Sequence, residues 1–198
     1  MNILMLGEKS NLLKKYIENK KHTCIIIEDK ISLEYAKNYD FIISFGYRYI
    51  ISKDIVDYFQ KRIINMHISM LPYNRGADPN LWSFLENTPK GVSIHYMSYG
   101  LDEGDILYQK EVFFNDDLTL FETYNILINT ISKLLFDNLD NILYNQVVSF
   151  RQTGTGSFHC LKDKAPYEQL LTDGYNTKVK NLINKAEKTK KYFQITIY

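Results

Sequence analysis

Four short apolar runs punctuate the first third of the chain and leave few folds open. Asn2 to Leu6, Thr23 to Ile27, Phe41 to Phe45 and Arg62 to His67 each have strand length and few polar residues. Between them lie amphipathic stretches. Asn11 to Lys20 places Leu12, Leu13, Tyr16 and Ile17 at helical spacing, Ser32 to Lys37 fits one or two turns, and Lys53 to Phe59 places Ile55, Val56 and Phe59 on one face. Strands that are apolar throughout belong in a parallel sheet covered on both sides, because βαβ crossovers put helices on both faces. The fold class expected is therefore α/β.

The middle of the chain breaks the rhythm. Leu71 to Asp78 is rich in turn formers, and Asn80 to Glu86 reads as a helix anchored by Leu81, Trp82 and Leu85. Gly91 to Met97 alternates as a strand, Gly100 to Gly104 is a loop, and Ile106 to Phe114 is a second strand able to pair antiparallel with the first. Leu118 to Leu143 carries an apolar stripe through Leu120, Tyr124, Leu127, Ile131, Leu134 and Leu135, which predicts a long helix. From Ser149 onward a turn-rich GTGS stretch precedes a helical run over Thr177 to Lys188 and a strand-like end, Phe193 to Tyr198. Residues 1–148 are expected to form the core and residues 149–198 a short extension, packed on the core or at an interface between two copies.

Composition narrows the function classes. The chain has 198 residues, with 24 basic and 23 acidic side chains and a formal net charge of +1. That balance argues against a partner bound by phosphate neutralisation, so no nucleic acid is expected. Cys24 and Cys160 are far apart and no CxxC is present, which speaks against a disulfide scaffold or thiolate zinc site and favours a reducing compartment. No apolar run approaches the ~18 residues of a membrane span, and the first residues read as a strand rather than a leader. A cytoplasmic protein without a membrane partner is the expectation.

Ligands of open α/β sheets bind at the carboxyl ends of the strands. There, Asn65 and His67 have period-two spacing and point to the same side. An amide donor beside an imidazole can hold an oxyanion and move a proton. Asp102, in the loop after the Gly91 to Met97 strand, is a carboxylate able to orient the imidazole or a water. The same residues also fit a turn cap, a satisfied half-buried histidine and a turn-initiating aspartate.

The stretch INMHISMLPYNRGADPNLW, followed by GVSIHYMSYGLDEGDILYQ, resembles the signature of the folate-dependent formyltransferases. The similarity spans roughly residues 1–145. It implies a Rossmann-like, doubly wound, mostly parallel sheet. It implies 10-formyltetrahydrofolate as formyl donor, a primary amine as acceptor and no metal. By position, Asn65, His67 and Asp102 match the catalytic set. The pteridine cleft matches Ser44, Phe45, Gly46, Tyr47, Tyr49 and Ile50, together with Leu101, Glu103, Gly104 and Asp105. Arg75, in the RG of the signature, is a candidate for an anionic acceptor. Lys9 and Ser10, after Gly7, are candidates for phosphate at a helix start, and Tyr73 and Trp82 for stacking. His95 reads as pocket wall, and His159 receives no role.

The acceptor is read from the same resemblance. Methionyl-tRNA formyltransferases carry a further basic domain, and glycinamide ribonucleotide enzymes normally show HPS and LDGGPV where this chain has His67-Ile68-Ser69 and Leu101 to Ile106. The GTGSFH stretch is closer to enzymes acting on a dTDP- or UDP-linked amino-sugar in surface polysaccharide (O-antigen) synthesis. A glycinamide ribonucleotide or other small-amine formyltransferase, a deformylating hydrolase, and a non-catalytic folate- or nucleotide-binding relic are the alternatives. Pairing of the terminal strand with a second chain would make a homodimer.

Overall fold

The structure is a computed structural model and describes residues 1–186. The expected terminal strand at Phe193 to Tyr198 and the end of the expected helical run lie outside the described residues. The chain runs β1 (Asn2–Leu6), α1 (Asn11–Asn19), β2 (Thr23–Ile27), α2 (Leu33–Ala36), β3 (Phe41–Ser44), α3 (Lys53–Phe59) and β4 (Ile63–His67). It continues with β5 (Arg75–Gly76), α4 (Pro79–Leu85), β6 (Gly91–Tyr96), β7 (Ile106–Glu111), α5 (Leu120–Leu143), β8 (Phe158–His159) and β9 (Thr172–Tyr175).

Six strands form one sheet in the order β2-β1-β3-β4-β6-β7. The first four are parallel, and β6 and β7 join antiparallel. The sheet is doubly wound, as its two apolar layers show. Ile3 and Met5 of β1 face α1 and α5 in one cluster, whereas Leu4 and Leu6 face α2 and α3 in another. Period-two alternation within a strand that is buried on both faces produces this division. The long helix α5 begins with a capping box, in which Thr119 and Glu122 exchange hydrogen bonds. No helix among the described residues is long and apolar enough to cross a membrane.

The segment after α5 departs from the sequence expectation. Phe150 bridges to Ile106, β8 pairs in parallel with β5, and Leu161–Leu170 winds as a 3-10 segment around Pro166. Where a helical run from Thr177 was expected, the described residues have a 3-10 turn, Val179–Asn181, then a turn over residues 182–184 and helical residues Lys185 and Ala186. Asn184 at φ +60 takes the left-handed conformation that interrupts a helix. Val179, Leu182 and Ala186 pack with Leu81, Trp82 and Leu85 of α4 in a third apolar cluster.

Candidate active site

The site is built at the carboxyl end of β4. Strand alternation sends Asn65 and His67 to the same side, and the loop between β6 and β7 brings Asp102 to meet them. Asn65 Nδ2 donates to Asp102 Oδ1 at 3.0 Å and lies 3.3 Å from His95 Nε2. His67 Nδ1 lies 3.5 Å from Asp102 Oδ2. His67 Nε2 donates to the carbonyl of Asn74 at 2.9 Å. The His67 ring thus lies between a carboxylate oxygen and a backbone carbonyl. His95 differs. Its Nδ1 donates to the Tyr96 carbonyl at 2.8 Å, and its Nε2 is turned to Asn65 Nδ2 and Asp102.

Asp102 is held by four neighbours. Oδ2 also accepts the Gly76 N–H at 2.9 Å, and His95 Nε2 lies 3.5 Å from Oδ1. Burial opposes a charge here, since only 8% of the residue is exposed. The His67 and His95 rings and the Gly76 amide outweigh that opposition and hold the carboxyl well below the usual carboxylate range. Asp102 has φ +54, a strained conformation for a residue with a Cβ, and such strain gathers at functional sites.

The sequence reading brought together Asn65, His67 and Asp102 and missed part of what holds them. His95 is in contact with two of the three rather than being a wall. Gly76 contributes its backbone. Gln152 donates through Nε2 to the carbonyls of Asp102 at 2.7 Å and Gly104 at 2.9 Å. Its Oε1 accepts from Arg75 Nε at 3.1 Å and Nη2 at 2.8 Å. Asn74 is fully buried, donating to Thr88 and accepting from Ser157 besides His67. The His-x-Ser rhythm after β4 hinted at none of these contacts, which depend on loops returning from distant sequence.

The other candidates are placed variously. Ser44 and Phe45 are buried. Tyr49, Ile50 and Leu101 are exposed, and Tyr47, Ile51 and Met97 pack against the apolar cluster that holds Leu4 and Leu6. Gly46 and Tyr47 are half-buried, Glu103 is exposed, Gly104 is buried and Asp105 is intermediate. These two segments thus combine exposed apolar side chains with buried residues. Arg75 is tied to Gln152, and Glu103 lies 3.4 Å from its Nη1.

Two acceptor candidates have partners within the fold. Ser10 is fully buried, and its hydroxyl donates to the Leu6 carbonyl at 2.9 Å. Trp82 is also buried, with its ring stacked on His159 rather than presented freely. Lys9 extends along Gly46 and sits 5.5 Å from the Tyr124 ring centroid, and Tyr73 is exposed.

Comparison with known proteins decides the family. A family profile described as Formyl transferase matches residues 8–138. The chain belongs to the formyl transferase family. Among solved structures it resembles the formyltransferase PseJ from Anoxybacillus kamchatkensis, crystallised with UDP-4,6-dideoxy-4-formamido-L-AltNAc and tetrahydrofolate. The two are 48% identical with a TM-score of 0.91, over 94% of this chain and 100% of that one. An N-formyltransferase from Helicobacter canadensis, in complex with folinic acid and dTDP-3-aminofucose, shares the fold at 19% identity and TM-score 0.71, covering 93% of this chain and 80% of that one. Among curated relatives, the methionyl-tRNA formyltransferase of Clostridium botulinum is 32% identical over 140 residues, 69% of this chain and 45% of the relative. This formyl transferase spans less than half the length of that relative.

Proposed function

We propose that this chain moves a formyl group from 10-formyltetrahydrofolate to the primary amine of a UDP-linked amino-sugar. The reaction is carried by one observation. Asn65, Asp102 and His67 meet at the carboxyl end of β4, with Asp102 and His67 buried and Asn65 partly so. The nucleotide-sugar reading is supported by the 48% identity, over its whole length, to a formyltransferase crystallised with a UDP-sugar and tetrahydrofolate. A role in surface polysaccharide synthesis follows from that class of acceptor.

When bound, the folate supplies a formyl carbon open to attack by the amine. The residues of the chain then act in sequence. Asn65 turns an amide N–H to the formyl oxygen as negative charge gathers there, and one such donor is typically worth about 3 kcal/mol. Protonated His67 sits on the same side of β4 as a second donor and holds the proton that the leaving nitrogen needs. Asp102, its carboxyl held well below the usual range, is too weak a base to keep the proton of the amine; that proton passes, directly or through water, to the His67 ring, which has given its own to the leaving nitrogen. The work of Asp102 is to keep His67 charged and Asn65 aimed. Holding both substrates in one cleft supplies much of the remaining rate.

The methionyl-tRNA reading has the sequence relatives in its favour, but near-equal basic and acidic counts argue against a partner bound by phosphate neutralisation. The deciding assay supplies 10-formyltetrahydrofolate with UDP- and dTDP-linked amino-sugars, glycinamide ribonucleotide and methionyl-tRNA. Mass spectrometry then reads one added formyl group. A formylated UDP-sugar is expected. Formylation confined to either of the last two acceptors overturns the proposal.

A further inference from the structure

The GTGS stretch carries the chain back across the loop that follows β4. The Ser157 N–H donates to the Pro72 carbonyl at 3.1 Å, and its carbonyl accepts from the Arg75 N–H at 2.9 Å. Between these backbone bonds the Ser157 hydroxyl works in both directions. It accepts from the Asn74 N–H at 2.9 Å and donates to Asn74 Oδ1 at 3.2 Å. Gly156 at φ +59 permits this approach, because a Cβ there would lie 2.3 Å from the Pro72 carbonyl oxygen.

Asn74 links that hydroxyl to the chemistry. It is fully buried at φ +55, a left-handed conformation that asparagine enters more readily than most residues but still at a cost. Its side chain is tethered at both ends, Oδ1 by Ser157 and Nδ2 to Thr88 Oγ1 at 2.8 Å. Held this way, its carbonyl accepts from His67 Nε2 at 2.9 Å. A backbone carbonyl can only accept, so hydrogen stays on the ring nitrogen that faces it. The other ring nitrogen, Nδ1, lies at the longer distance of 3.5 Å from Asp102 Oδ2.

We propose that Ser157 is a positioning residue for formyl transfer. Its hydroxyl fixes Asn74, the Asn74 carbonyl keeps hydrogen on His67 Nε2, and Nδ1 is left as the nitrogen that gives up and regains the proton of the reaction. Ser157 touches none of the reacting atoms. The inference rests on the reading that His67 handles that proton, and it adds the group that aims the ring. It also gives the segment after α5 a share in the rate.

Ser157→Ala and Ser157→Thr are made in the full chain. With the amine that the wild type formylates, Ser157→Ala should lose about tenfold in kcat, the worth of one neutral hydrogen bond. Acceptor KM, and tetrahydrofolate affinity read by calorimetry, should be unchanged. Ser157→Thr keeps a hydroxyl and should recover most of the lost kcat. A second readout needs no turnover. Among the four histidines, the signals of His67 in the ring-nitrogen NMR spectrum are assigned by their loss in His67→Gln. Nε2 should carry hydrogen in the wild type, and the His67 signals should move in Ser157→Ala and return in Ser157→Thr. Should Ser157→Ala not fold, Asn74→Gly reads the same link, because glycine takes the left-handed conformation freely while both side-chain tethers are gone. It should show the same loss of kcat. The inference is overturned by a bare Nε2 in the wild type, by His67 signals that stay in place in Ser157→Ala, or by wild-type kcat in the alanine or glycine variant. A rise in acceptor KM or a fall in folate affinity as large as the kcat loss overturns it too. If the wild type formylates no amine, the transfer reading falls by itself, and the His67 spectrum still decides whether Ser157 aims the ring.

Discussion

Gly76 and Asp102 are joined backbone to side chain: the Gly76 N–H reaches Asp102 Oδ2 at 2.9 Å from a residue at φ +86. That conformation favours glycine, and a Cβ placed there would lie 2.3 Å from the His159 carbonyl oxygen. Any side chain at residue 76 therefore strains its own backbone and pushes β8 away. Gly76→Ala is expected to lose about 1–3 kcal/mol of stability. It should also lower turnover in the molecules that remain folded. Urea unfolding curves and initial rates measured well below the midpoint check the two effects separately.

Asn65 is the residue whose loss should act on chemistry alone. It is partly buried, and its amide already has neighbours to orient it. Asn65→Ala should reduce kcat about 10²–10³-fold, the usual cost of one oxyanion donor. Tetrahydrofolate affinity should change little. His95→Ala removes only the group that steers the amide, and a smaller loss, about tenfold, is expected. Equal losses in the two variants would show that His95 touches the reacting atoms itself.

The acid limb of stability carries the signature of Asp102. Its carboxyl titrates below the ordinary carboxylate value in the folded state, despite burial, because of His67, His95 and the Gly76 amide. A depressed folded value stabilises the fold above the unfolded value, about pH 3.9, and the contribution is lost as pH falls toward the folded value. The wild type should exceed Asp102→Asn in stability by a constant amount near pH 5 and by a shrinking amount below about pH 4. Urea midpoints across that range give the answer. A difference that grows toward acid would mean that Asp102 is protonated in the fold. Turnover of Asp102→Asn should fall about 10³-fold, since His67 loses its charged partner.

The parallel half of the sheet was readable from sequence because each strand is a nearly unbroken apolar run, and Lys53 to Phe59 emerged with the expected bounds. Asn65 and His67 were readable because period two is a property of any strand. The β5–β8 ribbon was not, because two-residue strands have no periodicity and their pairing is set by Gly76 and the loop before Phe158. The contacts of Ser10 and Trp82 were illegible for a related reason. A hydroxyl or an indole looks free in sequence until the fold supplies Leu6 or His159 beside it. Gln152 lies 50 residues from Asp102, and no local pattern marks a side chain whose partners are main-chain carbonyls.

Gln152 offers the sharpest separation of positioning from chemistry. One end of its amide accepts twice from Arg75, and the other donates to the Asp102 and Gly104 carbonyls. Gln152→Ala releases both Arg75 and the loop, so acceptor KM should rise and kcat should fall, each about tenfold. Gln152→Glu keeps an oxygen for Arg75 and gives it a charged partner, but turns a second oxygen toward two carbonyls that can only accept. Acceptor KM should therefore stay near the wild-type value while kcat falls at least as far as in the alanine variant. That split would place the contribution of Gln152 to the rate in the loop that carries Asp102, and its contribution to binding in Arg75. A glutamate variant with wild-type kcat would show that the loop keeps its shape without the two donated hydrogen bonds. In that case Asp102 would owe its strained φ to the Gly76, His67 and Asn65 contacts alone.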